Sequence, residues 1–184
     1  MEPDQGNRYE LAGIVADARV LAPLERAHPS VNVVPLPSMG LGLVPVTAEV
    51  SAAVTPAMVC VIPEAVLSPD TARATAALVT GPESGFARLT PGLLALVEAA
   101  SCAGPVAYLE TDYVGRDGSQ TAAVWHSGVL VLGPLILGRT ELYVPREAPI
   151  SQALRLIGVP SDARHDEFVV VGLGQYRRTE EWLA

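Results

Sequence analysis

The stretch VAYLETDYVGRDGSQTAAVWHSGVLVL, Val106 to Leu132, decides the fold. It reads as three strands joined by two turns, a meander. Side chains alternate faces along a strand, so Tyr108, Glu110 and Asp112 point one way, and Ala107, Leu109, Thr111 and Tyr113 the other. With Gly115-Arg116-Asp117-Gly118 as the turn, Val114 pairs with Ser119. Asp112 then stands opposite Thr121, Glu110 opposite Ala123, Tyr108 opposite Trp125, and Leu109 against Val124. This register predicts a core face of Ala107, Leu109, Ala122 and Val124, and a presented face of Tyr108, Glu110, Asp112, Thr121 and Trp125. Ser127-Gly128 makes the second turn and returns the chain as Val129 to Leu132.

Working outward, Tyr9 to Val15 reads as a first strand after a polar tail, residues 1 to 7, that is expected to be disordered. Ala18 to Ala27 has helical spacing interrupted by Pro23. Val31 to Leu36 and Leu41 to Val46 flank a turn at 37 to 40 as a hairpin, and Pro35 and Pro45 confine those strands to edge or terminal positions. Thr47 to Val54 is expected as a short helix and Met58 to Ile62 as a buried strand. Ser68-Pro69-Asp70 and Thr90-Pro91 each supply a cap followed by a first-turn proline. They launch helices toward Gly81 and Gly104. Pro149 starts a helix closed by Gly158. In the last stretch the three valines of Phe168 to Val171 favour a strand, and Gly172-Leu173-Gly174 a turn or bulge. Strands and helices mix without a βαβ rhythm. The expected class is therefore α+β, a single domain over 8–184 with a mainly antiparallel sheet and helices packed on one face.

The 184 residues, 49% of them apolar with a mean hydropathy of +0.33, suffice for one real core. No apolar run has the length of a membrane span and the N-terminus lacks an export signal, which points to a cytoplasmic protein without membrane contact. All twelve basic residues are arginine against 20 carboxylates, for a net charge of −8. That balance argues against nucleic acid and favours a basic protein partner. Cys60 and Cys102 form no ligand pair and are expected as buried free thiols.

Enzymatic signatures are missing: there is no GxxxxGK[ST], no HExxH, and no GxSxG in a strand-to-helix setting. His28, His126 and His165 are scattered, and Ser127 or Cys102 would have to serve as nucleophile for any hydrolytic arrangement. Glu110 and Asp112 are the one carboxylate pair whose spacing forces a shared face. A solvated strand face explains them simply. The sharper reading sets them beside Tyr108 and Trp125 to grip an arginine or lysine by ion pairing and cation–π contact. No cofactor or metal is implied. Arg177-Arg178 before Glu180-Glu181 reads as self-pairing or as a partner contact.

At ETDYVGRDGSQTAAVWHSG, ISQALRLIGV and GLGQYRRTEEWL the chain resembles small uncharacterised α+β proteins of GC-rich bacteria, some of which accompany polymorphic toxins as immunity proteins. The resemblance covers the chain from about Gly104 on and carries no functional residues with it. It implies a non-enzymatic binding protein that neutralises a basic toxin. Two other classes stay open: a small enzyme or resistance protein with Glu110, Asp112 and His126 or His165 in acid–base roles, and a homo-oligomer, at least a homodimer, joined through the edge strands near 31 to 46. A deep pocket beside the carboxylates would favour the enzyme, a flat face the binding module.

Overall fold

The structure, a computed structural model, describes residues 8–38, 40–55, 69–115, 117–161 and 164–184, with the backbone alone for 69–72. The tail 1–7, the strand expected at 58–62, Cys60 and the Ser68 cap lie outside these residues.

Among the described residues six strands form one antiparallel sheet: β1 (Arg8–Asp17), β2 (Val34–Pro35), β3 (Leu41–Pro45), β4 (Val106–Val114), β5 (Asp117–His126) and β6 (Val129–Leu137), in the order β2-β3-β1-β4-β5-β6. The class is α+β. The prolines act as their chemistry demands: β2 is a two-residue edge strand holding Pro35, and Pro45 ends β3. Among the described residues six helices accompany the sheet: α1 (Ala18–Ala27), α2 (Ala48–Ala53), α3 (Pro69–Thr80), α4 (Pro91–Ser101), α5 (Pro149–Leu156) and α6 (Glu167–Val170). Local caps set their starts. The hydroxyls of Thr47 and Thr90 accept from the N–H groups of Val50 and Leu93.

Both sheet faces are covered. Ala12, Ile14, Val106, Tyr108, Ala123 and Trp125 pack under α1, α2, α3 and α4. Leu11, Val15, Leu109, Ala122 and Val124 pack under α5 and the C-terminal segment, including Val171, Leu173 and Trp182. Helices on one face were expected, and four of the six lie there; the rest close the second face.

The meander is as expected in its strands, its faces and its turn at Ser127-Gly128, where both residues take positive φ. Its register differs by two. Val114 pairs with Asp117, so Asp112 opposes Ser119, Glu110 opposes Thr121, Tyr108 opposes Ala123, and Val106 opposes Trp125. The loop holds two residues, and Gly115 at φ 66° supplies the left-handed conformation such a tight turn needs. A shift by an even number leaves every side chain on its face.

The C-terminal expectation is corrected. Phe168 to Val171 is not a strand: Asp166 caps α6 by accepting from the Val169 N–H at 3.0 Å. Glu167 lies buried in the first turn, its Oε1 bound by the Arg155 guanidinium at 2.7 Å. A cap and a buried ion pair outweigh three valines' preference for extended backbone. Gly172 takes φ 75° ahead of a 3-10 turn, Leu173–Gln175. A second such turn, Thr179–Leu183, brings Glu181 back onto the N–H groups of Arg177 and Arg178. Cys102 at the end of α4 is exposed, so the expected burial of this thiol does not hold.

Candidate functional site

Tyr108, Glu110, Asp112, Thr121 and Trp125 do share one face, but it is not presented. Tyr108 and Trp125 are fully buried, Thr121 nearly so, and Glu110 is 8% exposed. The α-helical layer covers the face, and the segment after Gly81 closes over its end. Phe86 meets Tyr108 edge to face, ring centres 5.3 Å apart, and Thr121 donates to the Gly85 carbonyl at 3.0 Å. These aromatic rings form core. They cannot stack on an incoming arginine.

Glu110 is the centre of a closed network. Ala87 and Arg88 donate their backbone N–H groups to its Oε2 and Oε1 at 2.6 and 2.8 Å, and the Tyr108 hydroxyl donates to Oε1 at 2.8 Å. Burial raises the Glu110 carboxyl above its ordinary range, against the pull of these donors and the nearby Arg88 charge. Tyr108, raised by burial and then by Glu110, stays a neutral donor. The Arg88 side chain turns away to the Val46 carbonyl at 3.1 Å and to Glu10.

Asp112, toward the strand end, is held by Arg8 at 2.9 Å and by Arg139 at 3.0 Å, while Arg8 also reaches Glu10 at 3.2 Å. The result is an alternating chain Arg139–Asp112–Arg8–Glu10–Arg88, of which all but Arg139 border a cleft of about 190 Å³ that also touches Glu110, Ser119 and Thr121. Asp112 and Glu10 each face a cation of this same chain. Glu10, Arg8 and Arg88 were not foreseen in this cluster; the β1–β4 pairing that sets Glu10 opposite Asp112 is a long-range contact with no local signal.

The histidines do not join this site. His126 stands five residues along β5 from Thr121, about 17 Å at the rise of a strand. There the Ser127-Gly128 turn rests on the end of α4, with the N–H groups of Ser127 and Gly128 donating to the carbonyl and hydroxyl of Ser101. His28 is buried at the end of α1 and His165 is exposed. Among the described residues no group of three His, Cys, Asp or Glu could hold a metal ion, and no helix is long and apolar enough to cross a membrane.

The other margin of the sheet looks different. β6, VLVLGPLIL, is an edge strand of nine residues without a charge, and most of it is half-exposed. Val131 and Ile136 are about half exposed, as is Leu78 of α3, which shares with Ile136 and Pro134 a groove of about 430 Å³. Beyond β6 the chain exposes Leu142 at 85%, with Tyr143 and Val144 beside it, along an open groove that runs past Tyr113 and Asp117. No family model, curated protein or solved structure matches the chain.

Proposed function

We propose that the chain is a non-enzymatic, cytoplasmic binding protein that holds a basic protein partner along the β6 margin, as an immunity protein holds a toxin. The apolar side chains that stand in water there, Leu78, Val131, Ile136, Leu142, Tyr143 and Val144, carry this reading. Scattered apolar residues are ordinary on a surface; a run of them beside an unpaired strand edge marks an interaction site. Among the described residues the edge is guarded where Pro134 lacks an N–H and where irregularities break the ladder between Ala122 and Val124 and between Val124 and Trp125. A net charge of −8 supports a basic partner through steering and complementarity. The partner's place moves from the Tyr108 face, which the helices fill, to this margin.

A second reading, small-molecule chemistry at the Glu110 cleft, is favoured by the cleft itself and by a carboxyl raised toward the range of a general acid. Against it stands the full set of partners around Glu110 and Asp112.

The test is a pull-down with the intact chain and with Val131→Arg/Leu142→Arg, both positions being exposed. The expected result is one basic protein, identified by mass spectrometry, that rebinds in purified form and loses affinity with added salt. The variant should weaken it at least about tenfold. Self-association that the variant abolishes, an acidic partner, or unchanged binding by the variant would overturn the reading.

A further inference from the structure

The sheet face opposite Glu110 holds a second cavity, of about 240 Å³, between β1, β4 and β5 and the segment that carries α6. Four aromatic rings wall it. Tyr9 meets Phe168 edge to face with ring centres 5.8 Å apart, and Tyr113 meets Tyr143 in the same way at 6.1 Å. Its polar lining is Thr111, Gln120 and the phenol groups; no charged side chain among the described residues borders it.

Among the described residues most other buried hydroxyls are bonded, Ser51 Oγ being an exception. Tyr9 donates to the Leu173 carbonyl at 2.8 Å, Tyr108 to Glu110, Thr121 to Gly85, and Thr179 accepts from the Ala12 N–H at 3.0 Å. Thr111 Oγ1 is buried with no partner; the Tyr113 hydroxyl is buried too and, although the Gln120 side chain stands near enough to act on it, makes no hydrogen bond of full geometry, and all three residues line this cavity. Thr111 is only 5% exposed. Leaving a hydroxyl in such a place costs about 1–3 kcal/mol, so two in one cavity call for a reason. A ligand that supplies the missing bonds is that reason.

Shape and charge narrow the ligand. A cavity of about 150 Å³ lined by apolar side chains holds benzene, so this one has room for a second ring. A buried ion would find no counter-charge on the walls themselves, and Asp166 behind Tyr143 is already engaged by that phenol and by the Val169 N–H. The phenols add none: burial, followed by the Asp166 and Tyr113 charges, pushes Tyr143 up to about 12, and burial raises Tyr113 and Tyr9. We propose that the cavity is a binding site for a small neutral molecule with a flat, apolar body of about two fused rings and a hydroxyl or carbonyl oxygen that bonds Thr111 and Tyr113. The site is independent of the partner margin, although Tyr143 borders both.

The probes are 2-naphthol, naphthalene and tetramethylammonium, titrated into the purified chain and followed by amide shifts and by 2-naphthol fluorescence. The expected result is saturable 2-naphthol binding that maps to Tyr9, Thr111, Tyr113 and Phe168, with naphthalene about tenfold weaker for want of the hydrogen bonds. Thr111→Val and Tyr113→Phe should close that gap while leaving naphthalene unchanged, and Thr111→Ser should keep it. Both changes remove an unpartnered group, so the fold is retained, as circular dichroism would verify. Absence of saturable binding, shifts that map elsewhere, equal affinity for the two naphthalenes, or a gap indifferent to both variants would overturn the proposal. Preferential binding of tetramethylammonium would overturn it too, by showing a cation cage. None of these outcomes depends on a protein partner.

Discussion

Glu110 and Thr111 are neighbours on β4 and live under opposite conditions. Glu110 faces the helical layer, where three donors meet its oxygens and the surrounding acids and arginines saturate one another. Thr111 faces a cavity of aromatic rings, where its hydroxyl meets nothing. The side with the most chemistry in its residue names has the least left to offer a ligand. Trp125 Nε1 is unmet within the core on the helical side, but the two unmet hydroxyls that border one cavity lie on the quiet side. What separates structural from functional polarity here is satisfaction, and residue type is a poor guide to it.

The largest expected effect breaks the first half of that contrast. Glu110→Arg puts a cation among two backbone N–H donors and a buried phenol, and should leave too little stability for a folded chain, a loss of about 3–5 kcal/mol or more. Denaturant titration and circular dichroism would show it. Charge reversal at this position is therefore a folding variant and cannot report on partner binding. Glu110→Gln, which keeps the shape but turns an N–H₂ toward donors, should cost about 1–3 kcal/mol. A fully stable Glu110→Arg chain would mean that the network is open to water.

These two residues also mark where the sequence could be read and where it could not. Alternation alone puts Glu110 and Thr111 on opposite faces, and Gly-containing turns and Thr-Pro starts announce the meander and α4, because those are local events. The register slipped by two since a two-residue and a four-residue loop leave the same faces in place. Whether a face is covered is not a local event. Two of the three donors that bind Glu110 come from Ala87 and Arg88, more than twenty residues away. The four rings of the second cavity come from separate parts of the chain, Tyr9, Tyr113, Tyr143 and Phe168, and Phe168 stands in a helical turn set by the Asp166 cap where its valine neighbours favour a strand.

The pH dependence sharpens the comparison between the two faces through their buried carboxylates. Burial holds Glu110 above its ordinary 4.5, so the folded chain keeps a proton that the unfolded chain releases. Its contribution to stability is full below pH 4.5 and falls as pH rises from there through the folded value. Glu167 behaves in the opposite sense. Burial pushes its carboxyl up, but hydrogen bonds from Arg155, the backbone and Ser161, with the Arg155 charge, outweigh that and hold it below 4.5. Its contribution is present above pH 4.5 and is lost as pH falls through the lowered value. Urea midpoints measured across pH should show Glu110→Gln removing a decline above pH 4.5, and Glu167→Gln removing a rise below it. The direct guanidinium on Glu167, which Glu110 lacks, is the physical difference.

Asp112 tests how far the network's structural role extends toward solvent. It lies between Arg8 and Arg139, both about half exposed, and such pairs contribute little in water. Asp112→Asn should cost less than about 1 kcal/mol and the difference should shrink with added salt. A loss as large as that of Glu110→Gln would place Asp112 inside the buried network.

The smallest effect carries the most weight for the second half of the contrast. Thr111→Val exchanges a hydroxyl for a methyl of nearly equal size in a place where the hydroxyl has no bond. If the oxygen is unmet in the free protein, the change should leave stability unaltered or raise it by up to about 1 kcal/mol, because a desolvated polar group is replaced by an apolar one. Thr121→Val, on the other face, removes the donor to the Gly85 carbonyl and should cost about 1 kcal/mol. Opposite signs for one substitution, made at two buried threonines on the two faces of one sheet, would establish that the faces differ in satisfaction and not in burial. A loss at Thr111 equal to that at Thr121 would show that Thr111 is already bonded in solution, and the case for a ligand that completes it would fall.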